Sequence, residues 1–411
     1  MDFKIKKISA REILDSRGFP TVEAEVEVGG ERVTASVPSG TSTGKYEALE
    51  LRDGGERYQG RGVLQAVGNV NEIISPAFLG KDVSNQRDID KLLISLDGTD
   101  NKSRLGANAI AAVSLACCRM GAVLQKKPLW KWISEISGME ESLPSPCILF
   151  IEGGLHGKGW LDIQEIMVLL KADSYKEKLR VSTEIYHSLG KLLTEKYGKA
   201  SSAVGLEGAF IPAISETEEA IEAVLKAIKD SGYQKEIRIV LDMAASSFYK
   251  DGKYFFEGDI LKKEDLERYY LDLCQKYPIF AIEDPFAEED WESFSSLTSK
   301  IGSKVTIIGD DLLVTNTKRI EMAVDKKACN GLVLKPNQIG TVSESITAAK
   351  YALSNGWKVF VKHRSGETKD DFIADLATGL GTGYLMAGAP SRGERVAKYN
   401  RLLKIEEELK Q

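Results

Sequence analysis

The chain has 411 residues, with 55 Lys plus Arg against 61 Asp plus Glu and a formal net charge of −6. This length accommodates two domains, or a small domain and a barrel, and the mild acidity excludes a general nucleic-acid binder, which would show a basic stripe. With 3 His in the whole chain, a three-histidine zinc centre would consume all of them.

From Met1 to Lys7 the chain mixes charged and apolar residues and lacks the apolar core of a signal peptide. No window reaches the roughly 18 uninterrupted apolar residues of a membrane helix. The 5 Cys show no CxxC spacing, and Cys117 and Cys118 fall in an apolar helical run, which reads as buried reduced thiols. The expectation is a cytoplasmic protein with neither membrane nor nucleic-acid partner.

Residues 21–28 alternate with period two, Gly29-Gly30 turns the chain, and 32–37 returns as the partner strand. Residues 38–44 form a small-residue loop with no apolar anchor, a mobile segment able to close over a ligand. Helical patterns cover about 61–77, 86–96 and 108–125. Farther along, short apolar runs alternate with helical stretches. The runs at 237–241, 278–282, 305–309 and 331–334 end at Asp242, Glu283, Asp310 and Lys335, and 357–361 leads into Lys362-His363-Arg364-Ser365. Such repeats build a parallel sheet buried on both faces. In a (βα)8 barrel the strand ends share one mouth, where chemistry is placed.

A single carboxylate at a strand end commonly caps the next helix. Three in succession followed by a lysine point instead to a hard divalent cation such as Mg2+, without which desolvated like charges repel. Beside a cation, Lys335 has its ammonium form disfavoured and becomes a candidate general base. Glu165, in Asp162-Ile163-Gln164-Glu165, and Glu207, in Gly205-Leu206-Glu207-Gly208, are candidate acids, though either alone also reads as a surface residue. His156, flanked by glycines, reads as a flexible-loop residue, and His187 as structural. His363-Arg364-Ser365 offers a phosphate clamp. Gly379 to Gly383 follows a helical pattern rather than a strand, which argues against dinucleotide binding. The set suits proton abstraction α to a carboxylate, then loss of water from a phosphorylated hydroxy acid.

Dispersed motifs sharpen this reading. They are Leu14-Asp15-Ser16-Arg17-Gly18, Val37-Pro38-Ser39-Gly40, Ser42-Thr43-Gly44, Glu47 to Asp53, Asp242 in Leu-Asp-Met-Ala-Ala-Ser, Ile282 to Phe286, Gly309 to Leu312, Asn337 to Gly340 and His363 to Glu367. On these residues the chain resembles the enolase (phosphopyruvate hydratase) family from end to end. The resemblance implies an α/β protein: a small α+β N-terminal domain over 1–135 and a modified (βα)8, TIM-like barrel opening ββαα over 136–411. It implies 2-phosphoglycerate and phosphoenolpyruvate as ligands and two Mg2+ ions, one on Asp242, Glu283 and Asp310, the other on Ser39 and the substrate phosphate. It implies Lys335 as base at C2 and Glu207, supported by Glu165, at the C3 hydroxyl. Gln164, His156, Arg364 and Ser365 would line the substrate, the last two at its phosphate. A homodimer or higher homo-oligomer is implied, with the family's Glu–Arg pair reading Glu23 and Lys404 here.

The departures from the family cluster in the site. Met386 stands where the family has the lysine that grips the substrate carboxylate, and Lys362 where it has a serine. Glu152 replaces an asparagine, Leu206 an aspartate and Phe19 an asparagine. One reading is that Lys362 supplies the missing ammonium, but strand parity opposes it: if His363 faces the site, Lys362 faces away. The other is a retuned enzyme, such as a carboxyphosphonoenolpyruvate synthase type of phosphonate or phosphinate biosynthesis, which would join an activated phosphonoformate to a glycolytic phospho-acid.

Overall fold

A computed structural model describes residues 3–41, 43–157, 160–233 and 237–410. Ser42 of the loop motif and the first two residues of the amino-terminal stretch lie outside them. The chain opens with an antiparallel meander, β1 (Ile5–Leu14), β2 (Pro20–Val28) and β3 (Glu31–Ser36). The period-two pattern of β2 buries Val22, Ala24, Val26 and Val28 on one face. β1 escapes that pattern because its register slips between Ile5 and Lys7.

Helix Ala107–Leu124 packs on β2 and β3. It is long and apolar enough by length and composition to cross a membrane, although Asn, Ser and Arg interrupt it, and it is mostly buried inside the fold. An all-round apolar helix of this kind is a core element. The helix expected over 61–77 is broken into Leu64–Gly68, a π turn Asn69–Ile74 and a last turn Ser75–Phe78, which starts at Ser75-Pro76. Helix Gln86–Asp97 matches its pattern, with Asn85 capping its start and Gly98 its end.

The second region is a closed barrel of β4 (Ser145–Glu152), β5 (Glu165–Leu170), β6 (Ile237–Asp242), β10 (Ile279–Glu283), β11 (Thr306–Gly309), β12 (Gly331–Leu334), β13 (Lys358–Lys362) and β14 (Gly383–Met386). A small outer sheet, β7 (Tyr249–Lys250), β8 (Lys253–Phe256) and β9 (Asp259–Leu261), follows β6. β5 runs antiparallel to β4 and β6, and all other neighbouring barrel strands are parallel. Helices Tyr175–Tyr197 and Thr217–Asp230 then precede β6, so the barrel opens ββαα. Because β5 is reversed, its first residue, Glu165, stands level with Asp242, the last residue of β6.

Candidate active site

The barrel mouth collects the charged strand ends. Asp242 and Glu283 close β6 and β10 and are register partners, Asp310 follows β11, and Lys335 follows β12. All four are buried, as are Glu165 and Glu207. In the barrel order β12 lies across from β5, so Lys335 and Glu165 occupy opposite walls with the carboxylates between them.

Lys362 also faces this mouth. Its Nζ lies 2.8 Å from Asp242 Oδ2, 2.8 Å from Glu283 Oε1, 2.9 Å from Glu283 Oε2 and 3.1 Å from Glu165 Oε2. His363 faces it too, with Nε2 3.2 Å from Glu207 Oε2. Strand parity does not separate the two, because β13 ends at Lys362 and His363 lies in irregular backbone, where alternation no longer applies. Met386 is buried and stands directly opposite Lys362 on β14.

Burial raises Glu165 and Glu283 well above the usual carboxylate range, and neighbouring carboxylates add to the effect. Burial also acts to raise Asp310, but Lys335 and Lys362 outweigh it and hold the group at about 2. Lys335 binds Asp310 Oδ2, and Gln338 Nε2 donates to Asp310 Oδ1 at 2.9 Å. Burial works against the Lys335 ammonium, yet Asp310 beside it leaves the group raised overall. Asp310 thus favours the ammonium form of Lys335 in the ion-free chain, whereas the expectation of a disfavoured ammonium concerns the site with a cation beside the lysine.

The acid wall is built around Glu207. His156 Nδ1 stands 3.3 Å from Glu207 Oε1 and 3.8 Å from Glu165 Oε1. His156 is not on an open loop: it is buried on the short turn Gly154–Gly157. Burial acts to raise Glu207, but His363 and His156 hold it well below its ordinary value. Glu152 accepts from the Glu207 and Ala209 amides, both at 3.0 Å, and burial and Glu207 push it up to about 8. A side chain at Gly205 would run into the Glu152 carboxylate. Glu152 thus places a carboxyl group under the loop that carries Leu206 and Glu207.

The expected phosphate trio is divided. His363 serves Glu207, while Arg364 makes a two-pronged pair with Glu47 at 2.9 and 3.1 Å. Ser365 Oγ donates to Thr41 Oγ1 and accepts from the Thr41 amide. The 38–44 loop, read as having no apolar anchor, has polar anchors among its described residues. Ser39 exchanges both backbone hydrogen bonds with Gly366, and its hydroxyl donates to Glu50 and accepts from Arg52.

One organiser escaped sequence reading. Arg395, fully buried on the last helix, Gly393–Glu408, donates to His363 Nδ1 and to the Arg364, Ser365 and Leu206 carbonyls. Its helix reads as a charged surface element, so no local pattern marks it.

The donors suit a hard divalent ion. Five buried carboxylates (Glu165, Glu207, Asp242, Glu283, Asp310) face two ammonium groups. Among the described residues Gln164 Oε1, Glu165 Oε1 and His156 Nδ1 are buried without a hydrogen-bond partner. Ligand atoms already converging within 4.8 Å are those of Glu152–His156–Glu207, Glu165–Glu207–His363 and Asp284–Asp310–Asp311. The expected trio is not among these groups, because Lys362 stands between Asp242 and Glu283 and Lys335 holds Asp310. The residues fit a cation once the Lys362 ammonium withdraws.

Comparison with known proteins agrees with this architecture. The family model described as the enolase N-terminal domain matches residues 5–133, and that of the enolase C-terminal TIM barrel domain matches 140–411. An enolase of Methanocaldococcus jannaschii is 50% identical over 409 residues, covering 99% of this chain and 96% of that protein.

Proposed function

Because the chain belongs to the enolase family, we propose that it is a hydro-lyase converting 2-phosphoglycerate to phosphoenolpyruvate and water. The observation that carries this reading is the placement of Lys335 and the Glu207–Glu165 pair on opposite walls of one mouth. Lys335 takes the C2 proton from one face. On the other face the Glu165–Glu207 pair serves the C3 hydroxyl: Glu165, raised by burial, holds the proton, and Glu207, oriented by His363 and His156, passes it to the oxygen as it leaves as water. Arg364 exchanges Glu47 for the substrate phosphate, with Ser365 beside it, and Gln164 lines the substrate.

Asp242, Glu283 and Asp310 would hold one Mg2+, and Ser39, after turning from Glu50, would join a second. When bound, the ions offset the negative charge that accumulates as the C2 proton leaves. Lys362 is the local ammonium that offsets the loss of lysine at Met386. The 50% identity to an enolase over nearly the whole chain supports the lyase reading, and no feature of the site favours the transferase alternative. A homodimer in the cytoplasm completes the proposal; within the chain Glu23 is paired with Arg11 at 3.2 Å.

The test is direct: supply the purified chain with 2-phosphoglycerate and Mg2+ and follow the absorbance of the enol product. No turnover above buffer at saturating Mg2+ would sink the reading.

A further inference from the structure

A single ammonium occupies the heart of the carboxylate cradle. Lys362 Nζ has four carboxylate oxygens within 3.1 Å, from Asp242, Glu283 and Glu165. An ammonium has three protons to donate, so this is a crowded, charge-driven placement rather than a simple hydrogen bond. Two of those carboxylates, Asp242 and Glu283, are the strand-end pair proposed to hold a divalent ion. An ion and the ammonium cannot share the space between them.

We propose that Lys362 is a resident cation of the cradle that competes with the divalent ion: it holds the carboxylates together in the ion-free chain and is displaced when the ion binds. The inference rests on the metal set named under the proposed function. Three observations support it. The ammonium touches the same oxygens an ion would need. Lys335 and Gln338 already hold Asp310, and among the described residues Lys362 is the ammonium paired with Asp242 and Glu283. The position opposite Lys362 on β14 is Met386, uncharged and flexible, so the displaced lysine stem meets no like charge there. Metal affinity in this chain is therefore set partly by a side chain that is not a ligand.

The experiment is calorimetric titration of Mg2+ into the metal-free full-length chain, with thermal melts, for wild type, Lys362→Met and Lys362→Gln. Removing a like charge in contact with the ion site is expected to tighten Mg2+ binding by at least about tenfold. The metal-free melting temperature of the variants should fall by several degrees, and saturating Mg2+ should close that gap. If Lys362→Met fails to fold without metal, Lys362→Gln, which keeps a donor, carries the comparison. Unchanged or weaker Mg2+ binding in the folded variants would overturn the proposal, as would an unchanged metal-free melting temperature. Turnover is read separately. An inactive chain with competition intact retires the proposed reaction alone, and an active chain with unchanged affinities retires this inference alone.

Discussion

Glu207 takes its character from its neighbours. Arg395 Nη1 donates to His363 Nδ1, which places the imidazole proton on Nε2, facing Glu207. Burial pushes His363 down to about 3, with Arg395 adding to the effect against the opposing pull of Glu207. The imidazole is thus neutral throughout the working range and turns its Nε2 toward Glu207. In a proton NMR titration the His363 ring signals should stay at the neutral position from pH 9 to pH 5 and move only as the pH approaches about 3. A midpoint near that of an ordinary histidine would contradict this arrangement. On the opposite wall, Lys335→Met should lower kcat by roughly a thousandfold while leaving the fold intact by circular dichroism. A loss of less than tenfold would remove Lys335 from the role of base.

Elements are joined by buried polar pins. Asp90, on helix Gln86–Asp97, accepts from Ser114 at 2.6 Å, from Gln86 at 3.0 Å and from the Ser343 amide at 2.8 Å, linking two helices of the first unit to a helix of the barrel. Burial raises Asp90 from 3.8 to about 6. As the pH falls, the folded chain takes up this proton before the unfolded one does. The resulting stabilisation is complete below the unfolded value and is lost as the pH rises through about 6. The stability gap between wild type and Asp90→Ala should therefore widen by about 1 kcal/mol from pH 7 to pH 5 in urea unfolding. A gap that narrows would refute the assignment.

The same scale shows what a sequence carries. Asp242 and Glu283 were legible because a buried parallel strand is a plain apolar run, and a charge marks where it stops. The orientation of Lys362 was not, since parity holds only while pairing lasts and β13 ends one residue before His363. Glu152 and Leu206 read as two separate departures, and only the folded loop shows that both lie at the Glu207 segment. Arg395 was invisible because its partners are carbonyls and a ring nitrogen brought from distant segments.

Across the whole molecule, the first unit is laced to the barrel by charge. Arg119 binds Asp370 and Asp371, Glu47 binds Arg364, and Lys102 binds Glu344. A junction so distributed couples the two units. Calorimetry on the full chain should give one thermal transition, and Arg119→Met should lower its midpoint without splitting it. Two resolved transitions in the wild type would show that the units melt independently.

The reversed direction of β5 has a further consequence. Its reversal sets the start of β5 beside the end of β4, so Glu152, His156, Gln164 and Glu165, close together in sequence, stand at the same wall. The cation-binding strands and the base come from separate, later segments. One short segment thus supplies the support of the acid wall, while Glu207 and His363 reach it from elsewhere in the chain. Grafting that segment from one relative into another would exchange the surroundings of Glu207 without moving Glu207 itself, and would leave the wall that activates C2 untouched.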